Sequence, residues 1–174
     1  MTKKENANSD LFTAVSTIFD YIVFNGVPVA TAINSISQGC VTLRDQLLVR
    51  KLEALFRDLE YDEHRVHFSI AIKKLKEDCG EDYFREMLFH TIDQLDSSKM
   101  AEILGKAVHA FGRNRISLEN FWSISYALKN ITYNDIKTIQ LCEKVKAFQL
   151  EGKTSLQRLS SVGIVIYLGG YGRG

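Results

Sequence analysis

A chain of 174 residues with 45% hydrophobic and 25% charged side chains is long enough for one hydrophobic core and too apolar for extended disorder. Lys and Arg number 22 against 21 Asp and Glu, so no global field draws nucleic acid or an anionic membrane, and any such contact has to be local. A single proline, Pro28, argues against many short strands and tight turns. Cys40, Cys79 and Cys142 are far apart with no C-x-x-C pair, which points to plain buried thiols in a reducing cytoplasm.

Residues 1–9 are polar, and read as a flexible arm without a secretory signal. From Ser9 or Asp10 onward, Leu11, Phe12, Val15, Ile18, Phe19, Ile22 and Val23 recur mostly every three or four residues, as on one helix face, and Asn25-Gly26 ends the run. Pro28 stands where a second helix begins, since its missing amide hydrogen costs nothing in a first turn, and Gly39 closes that helix. Residues 10–39 therefore predict an apolar helical hairpin. Leu11 to Ile33 carries one charge, Asp20, so it also has the composition of a membrane-seeking segment, with Phe12, Val15, Phe19, Val23 and Phe24 as candidate lipid-facing side chains. Asp20 at mid-bilayer and the break at Asn25-Gly26-Val27-Pro28 oppose a span.

Residues 43–150 predict the core bundle, organised around a helix from Leu43 to Leu59 that Thr42 caps. Its apolar face is Leu43, Leu47, Leu48, Leu52, Leu55, Phe56 and Leu59, and its other face includes Arg44, Arg50, Lys51 and Arg57. A helix capped by Asp62 follows, with Val66, Ile70 and Leu75 inward and Phe68 and Ile72 off that stripe. Cys79-Gly80 stops it. Tyr83, Phe84, Met87, Leu88, Ile92 and Leu95 define the next helix, and Asp96-Ser97-Ser98 caps one bearing Met100, Ile103, Leu104, Ala107, Val108 and Phe111. Gly112-Arg113-Asn114-Arg115 turns the chain. Ser117 caps a helix with Phe121, Ile124, Ser125, Leu128 and Ile131, and Thr132 with Asp135 makes a capping-box start for the last long helix. Residues 155–168 predict a short helix and one strand-like run, Ile164 to Leu168, before a Gly-rich tail at 169–174. The fold class is all-α: one compact multi-helix domain over residues 10–168, with at most a minor C-terminal strand.

Few residues offer chemistry. His64 and His67 are three apart beside Asp62 and Glu63, but a metal site needs a third ligand and nothing in the sequence brings His90 or His109 to them. Gly112 to Glu119 has the outline of a calcium loop with arginines, Arg113 and Arg115, where carboxylates belong. No nucleophile elbow, phosphate loop or H-E-x-x-H is present. No catalytic residue, metal or cofactor is therefore assigned. At the C-terminus a short helix running into an apolar strand resembles the order of a winged helix, with Arg158, Arg173 and Tyr171 as its nucleic-acid contacts; the returning strand of the wing is missing.

The run Thr42-Leu43-Arg44-Asp45-Gln46-Leu47-Leu48-Val49-Arg50-Lys51-Leu52-Glu53-Ala54-Leu55-Phe56, led by Gly26-Val27-Pro28-Val29-Ala30, resembles small bacterial and prophage-type helical proteins with an R-D-x-L-x-x-x-K-L-x-x-F-like helix. Lys99 to Lys106, Ile116 to Phe121 and Leu159 to Ile164 are similar to further segments of such proteins. The resemblance implies an all-helical architecture and supplies no catalytic residues.

The expected function is thus a non-enzymatic protein–protein interaction module, prophage- or defence-related, with Arg44, Arg50, Lys51 and Arg57 as its interaction surface and a homo-oligomer as one expected state. It would be cytoplasmic or peripheral to the inner membrane. A membrane-acting effector using residues 11–33 and a winged-helix-like DNA binder are the alternatives.

Overall fold

The structure is a computed structural model that describes residues 13, 15–38, 40 and 42–145, the side chains of 60, 62 and 140–145 excepted. The predicted arm at 1–9, Phe12, the short helix and strand-like run of 155–168, the Gly-rich tail, Arg158, Tyr171 and Arg173 lie outside the described residues. Eight α-helices and no strand occur among the described residues, so the chain is all-α. They are α1 (15–23), α2 (Val29–Ser37), α3 (Leu43–Leu55), α4 (Asp62–Cys79), α5 (Glu81–Gln94), α6 (Ser98–Gly112), α7 (Leu118–Asn130) and α8 (Tyr133–Val145), with a 3-10 turn at Arg57–Glu60.

Local chemistry sets most of the boundaries. Thr42 accepts from the Asp45 amide while the Asp45 side chain accepts from the Thr42 amide, a reciprocal cap at 3.1 and 3.0 Å. Ser117 caps α7 through the Asn120 amide at 3.2 Å, and Thr132 with the buried Asp135 closes a second reciprocal box at the start of α8. Asn114, at φ +56°, ends α6 with its amide on the Phe111 carbonyl and that of Arg115 on Ala110, the paired bonds of a left-handed C-cap. Two predicted caps differ. Tyr61 rather than Asp62 is the N-cap of α4, and Ser97 caps α6 without a side-chain hydrogen bond, while its neighbour Asp96 accepts from the Tyr133 amide of α8 at 3.2 Å.

Helix α6, not α3, is the hub: it packs on α3, α4 and α7, and buries Met100, Ala101, Leu104, Ala107, Val108 and Phe111. Two glycines let its neighbours close in. A Cβ on Gly105 would stand 2.5 Å from the Leu55 carbonyl oxygen of α3, and one on Gly112 would overlap the His67 carbonyl of α4. The predicted helix over 43–59 stops at Leu55, and the 3-10 turn then swings Phe56 and Leu59 into the core. Leu43 and Leu47, predicted inward, are 72% and 47% exposed. Five residues are about 140° around a helix, so Leu43 and Leu48 do not share a face.

The apolar N-terminal segment belongs to the same core. Val15, Ile18, Phe19, Ile22 and Val23 are buried, and Phe19 meets Phe56 edge-on at 4.6 Å and Phe68 at 6.4 Å. Its one charge, Asp20, pairs with Lys76 of α4 at 3.3 Å and Arg85 of α5 at 3.1 Å, and both cations also hold Glu81. No helix among the described residues is long and apolar enough to cross a membrane.

Candidate interaction surface and histidine cluster

The basic side chains that the sequence assigns to a partner are mostly engaged within the molecule. Arg44 forks onto Asp93 of α5, with contacts of 2.6 and 3.3 Å, and Lys51 donates to the Asp93 carbonyl at 2.8 Å. Arg57 reaches Glu102 of α6 at 3.0 Å. Burial pushes the Lys51 ammonium below its ordinary range, against the pull of Asp93 and Asp96. The Glu102 carboxyl, bonded by Lys106 and Lys99, is lowered to about 2. Of the four, the exposed Arg50 alone has no partner among the described residues. These contacts tie α3 to α5 and the 3-10 turn to α6, a job that needs no second protein.

Besides Leu43 and Leu47 of α3, an exposed apolar face lies on α4. Phe68, Ala71, Ile72 and Leu75 fill the core, which turns Val66 (56% exposed) and Ile70 (36%) outward. The expected inward set of Val66, Ile70 and Leu75 is therefore corrected: Val66 and Leu75 are nine residues apart, half a turn out of phase on a 3.6-residue helix. Glu63, Val66, Ile70 and Lys73, three and four apart, form one continuous solvent-facing stripe. Phe24 at the end of α1 extends it, 39% exposed, with the Lys73 Nζ 5.9 Å and the Lys76 Nζ 5.1 Å from its ring centre. Arg65 fixes the N-terminal end of α4 by donating to the Gly26 and Leu59 carbonyls at 3.2 and 3.1 Å.

On the flank of the same helix the fold adds a third ring to the two histidines singled out in the sequence. His109 of α6 lies 4.5 Å from His64 and 5.5 Å from His67 between ring centres. The close approach at Gly112 brings them together. His64 Nδ1, His67 Nδ1 and His109 Nε2 are buried and find no hydrogen-bond partner among the described residues. Glu63 stands 3.9 Å from His67 and 3.3 Å from Arg113. His90 is elsewhere, beside Glu86 on α5. Among the described residues no group of three or more His, Cys, Asp or Glu side chains is arranged to hold a metal ion. The cysteine thiols of Cys40 and Cys79 donate to the Ile36 and Leu75 carbonyls, and burial pushes both above the ordinary thiol range, away from the reactive thiolate.

Burial pushes the His109 imidazole below its ordinary value of 6.5, with His64, His67, Arg113 and Arg115 adding repulsion. A depressed histidine binds its proton more readily unfolded than folded. The stability it contributes is complete above the unfolded value near 6.5, and falls as pH drops from there toward the folded value. His109→Gln is accordingly expected to lose less stability between pH 7 and pH 5.5 than the wild type, measured as the shift in urea midpoint.

Compared with family models, with curated proteins and with solved structures, the chain matches none. The class is an all-α multi-helix bundle with exposed apolar pairs on α3, Leu43 and Leu47, and on the outside of α4, Val66 and Ile70.

Proposed function

We propose that the chain is a non-enzymatic helical protein–protein interaction module that docks through the outer face of α4. The stripe of Val66 and Ile70 carries the reading. Helix α4 already fills the core with four other apolar side chains. The two on its far side, at the spacing of a helix-pairing seam and extended by Phe24, add nothing to that core. Single exposed apolar residues are common; a run at seam spacing rimmed by charge has the make-up of an interface. The resemblance to prophage-type proteins fits a prophage- or defence-related role for such a module, in the cytoplasm or at the periphery of the inner membrane.

A photoreactive phenylalanine analogue replacing Val66 in the full chain tests this in the producing cell. A discrete protein adduct is expected from position 66, lost when Ile70→Glu is added, and absent when the analogue replaces the exposed Glu86 of α5. Equal labelling from both positions, or none from 66, would overturn the reading. Because Val66 is exposed, its replacement should change stability by less than about 0.5 kcal/mol.

A further inference from the structure

We propose that the partner seated on the outer face of α4 is a second copy of this chain, paired antiparallel across a twofold axis near residue 68. The inference rests on the docking reading above, and adds what the face recognises. The stripe reads Glu63, Val66, Ile70, Lys73, an acid, two branched apolar residues and a base at intervals of three, four and three. All four are exposed, and Glu63, although 3.3 Å from Arg113, keeps most of its side chain open to solvent. A twofold interface is self-complementary: whatever residue i meets, the partner's i meets in return. Reversing this stripe on itself sets Val66 against the partner's Ile70 and Glu63 against the partner's Lys73, so both apolar contacts and both charge pairs are satisfied at once.

Other registers do worse. Parallel pairing sets Glu63 on the partner's Glu63 and Lys73 on the partner's Lys73. Sliding the antiparallel pair by four residues, so that the partner's Ile70 sits on Ile70, puts Glu63 opposite the partner's Glu77. Like charges directly opposed disfavour a complex, and sliding four residues the other way, with Val66 on the partner's Val66, sets Glu63 and Lys73 against uncharged residues, so the charge pattern favours one arrangement. Helix α4 is also held stiffly enough to present it, since Arg65 anchors one end to two carbonyls and Lys76 ties the other to Asp20 and Glu81. Phe24, beside Lys73, widens the apolar contact on each side of the axis.

The stripe from Glu63 to Lys73 is about 15 Å long at 1.5 Å per residue. So narrow a contact covers less than the roughly 800 Å² per partner of a standard interface, so the dimer is expected to be weak and concentration-dependent. Sedimentation equilibrium of the purified full chain, from micromolar to millimolar concentration, reads this directly. The wild type should pass from monomer to dimer across that range. Lys73→Glu, at an exposed position, should keep the helical circular dichroism and weaken the dimer about tenfold, as should Glu63→Lys, by opposing like charges twice in each dimer. Joining the two changes restores complementarity and should recover affinity to within about threefold of wild type.

A monomer at every concentration overturns the self-pairing. So does a dimer that Lys73→Glu leaves unchanged, or one that the double exchange fails to restore. A monomeric chain that still yields a specific adduct with a different protein from position 66 would leave the interaction module standing and remove only the second copy; a monomer with no adduct removes both.

Discussion

Gly112→Ala is expected to lower the unfolding free energy by about 2–4 kcal/mol, the net of an overpacking cost of about 3–5 kcal/mol, above the usual range because the clash is with backbone, and the roughly 1 kcal/mol that alanine normally gains over glycine in a helix. A methyl group there would overlap the His67 carbonyl oxygen and stand 2.7 Å from its carbon. The obstacle is backbone, which cannot rotate aside, so α4 and α6 have to separate. At about 2–4 °C per kcal/mol for a chain of this size, the thermal midpoint should drop by about 4–16 °C. Differential scanning calorimetry measures it, and Trp122, the single tryptophan and half-buried against Phe121 of α7, gives an optical readout. The separation also moves His109 from His64 and His67, so the variant's loss of stability on acidification should be shallower than that of wild type. Unchanged stability would mean that the seam between α4 and α6 is looser than its geometry.

That glycine illustrates what a sequence hides. In the sequence, Gly112 stands as the start of a turn; in the fold it is the last residue of α6, and its missing side chain is filled by another helix's backbone. Nothing near position 112 announces a neighbour forty-five residues earlier. The same distance conceals the third histidine: His64 and His67 share a helix and are legible as a pair, whereas His109 joins them through the packing of α4 on α6. Ion pairs behave alike. Arg44, Lys51 and Arg57 read as a solvated basic face until α5 and α6 supply Asp93 and Glu102.

Signals that act within one turn of helix were readable. The Thr42–Asp45 and Thr132–Asp135 boxes and the Ser117 cap depend on residues three apart, and α6 has its predicted buried face because its apolar residues keep strict spacings of three and four. Tyr83 leaves the stripe predicted for α5, 62% exposed, and the stripe predicted for α4 contains a step of five residues, Ile70 to Leu75, just as Leu43 and Leu48 of α3 stand five apart with Leu47 between them. Such a step rotates a side chain about 140° and joins opposite faces into one apparent stripe. In α4 that step assigned to the core two residues that face outward, the pair on which the proposed docking rests.

The second large effect decides between a core and a membrane role for the N-terminal segment. Phe19→Ala is expected to destabilise the chain by about 3–5 kcal/mol, because Phe19 is buried and its ring packs edge-on against Phe56 and beside Phe68. Urea unfolding would show this as a lower midpoint with an unchanged slope. The variant leaves the Asp20 pairs with Lys76 and Arg85 in place, so the loss reports packing rather than charge. A segment kept for lipid would respond in the opposite way: Phe19→Ala would weaken flotation with anionic vesicles and leave the midpoint where it was. Val15, Ile18, Ile22 and Val23 line the same core, and separating the segment from the bundle would expose all of them and leave Asp20 without its cations. That separation carries the apolar burial of five side chains and two ion pairs as its cost, which is why the stability change, and not vesicle binding, is the expected result.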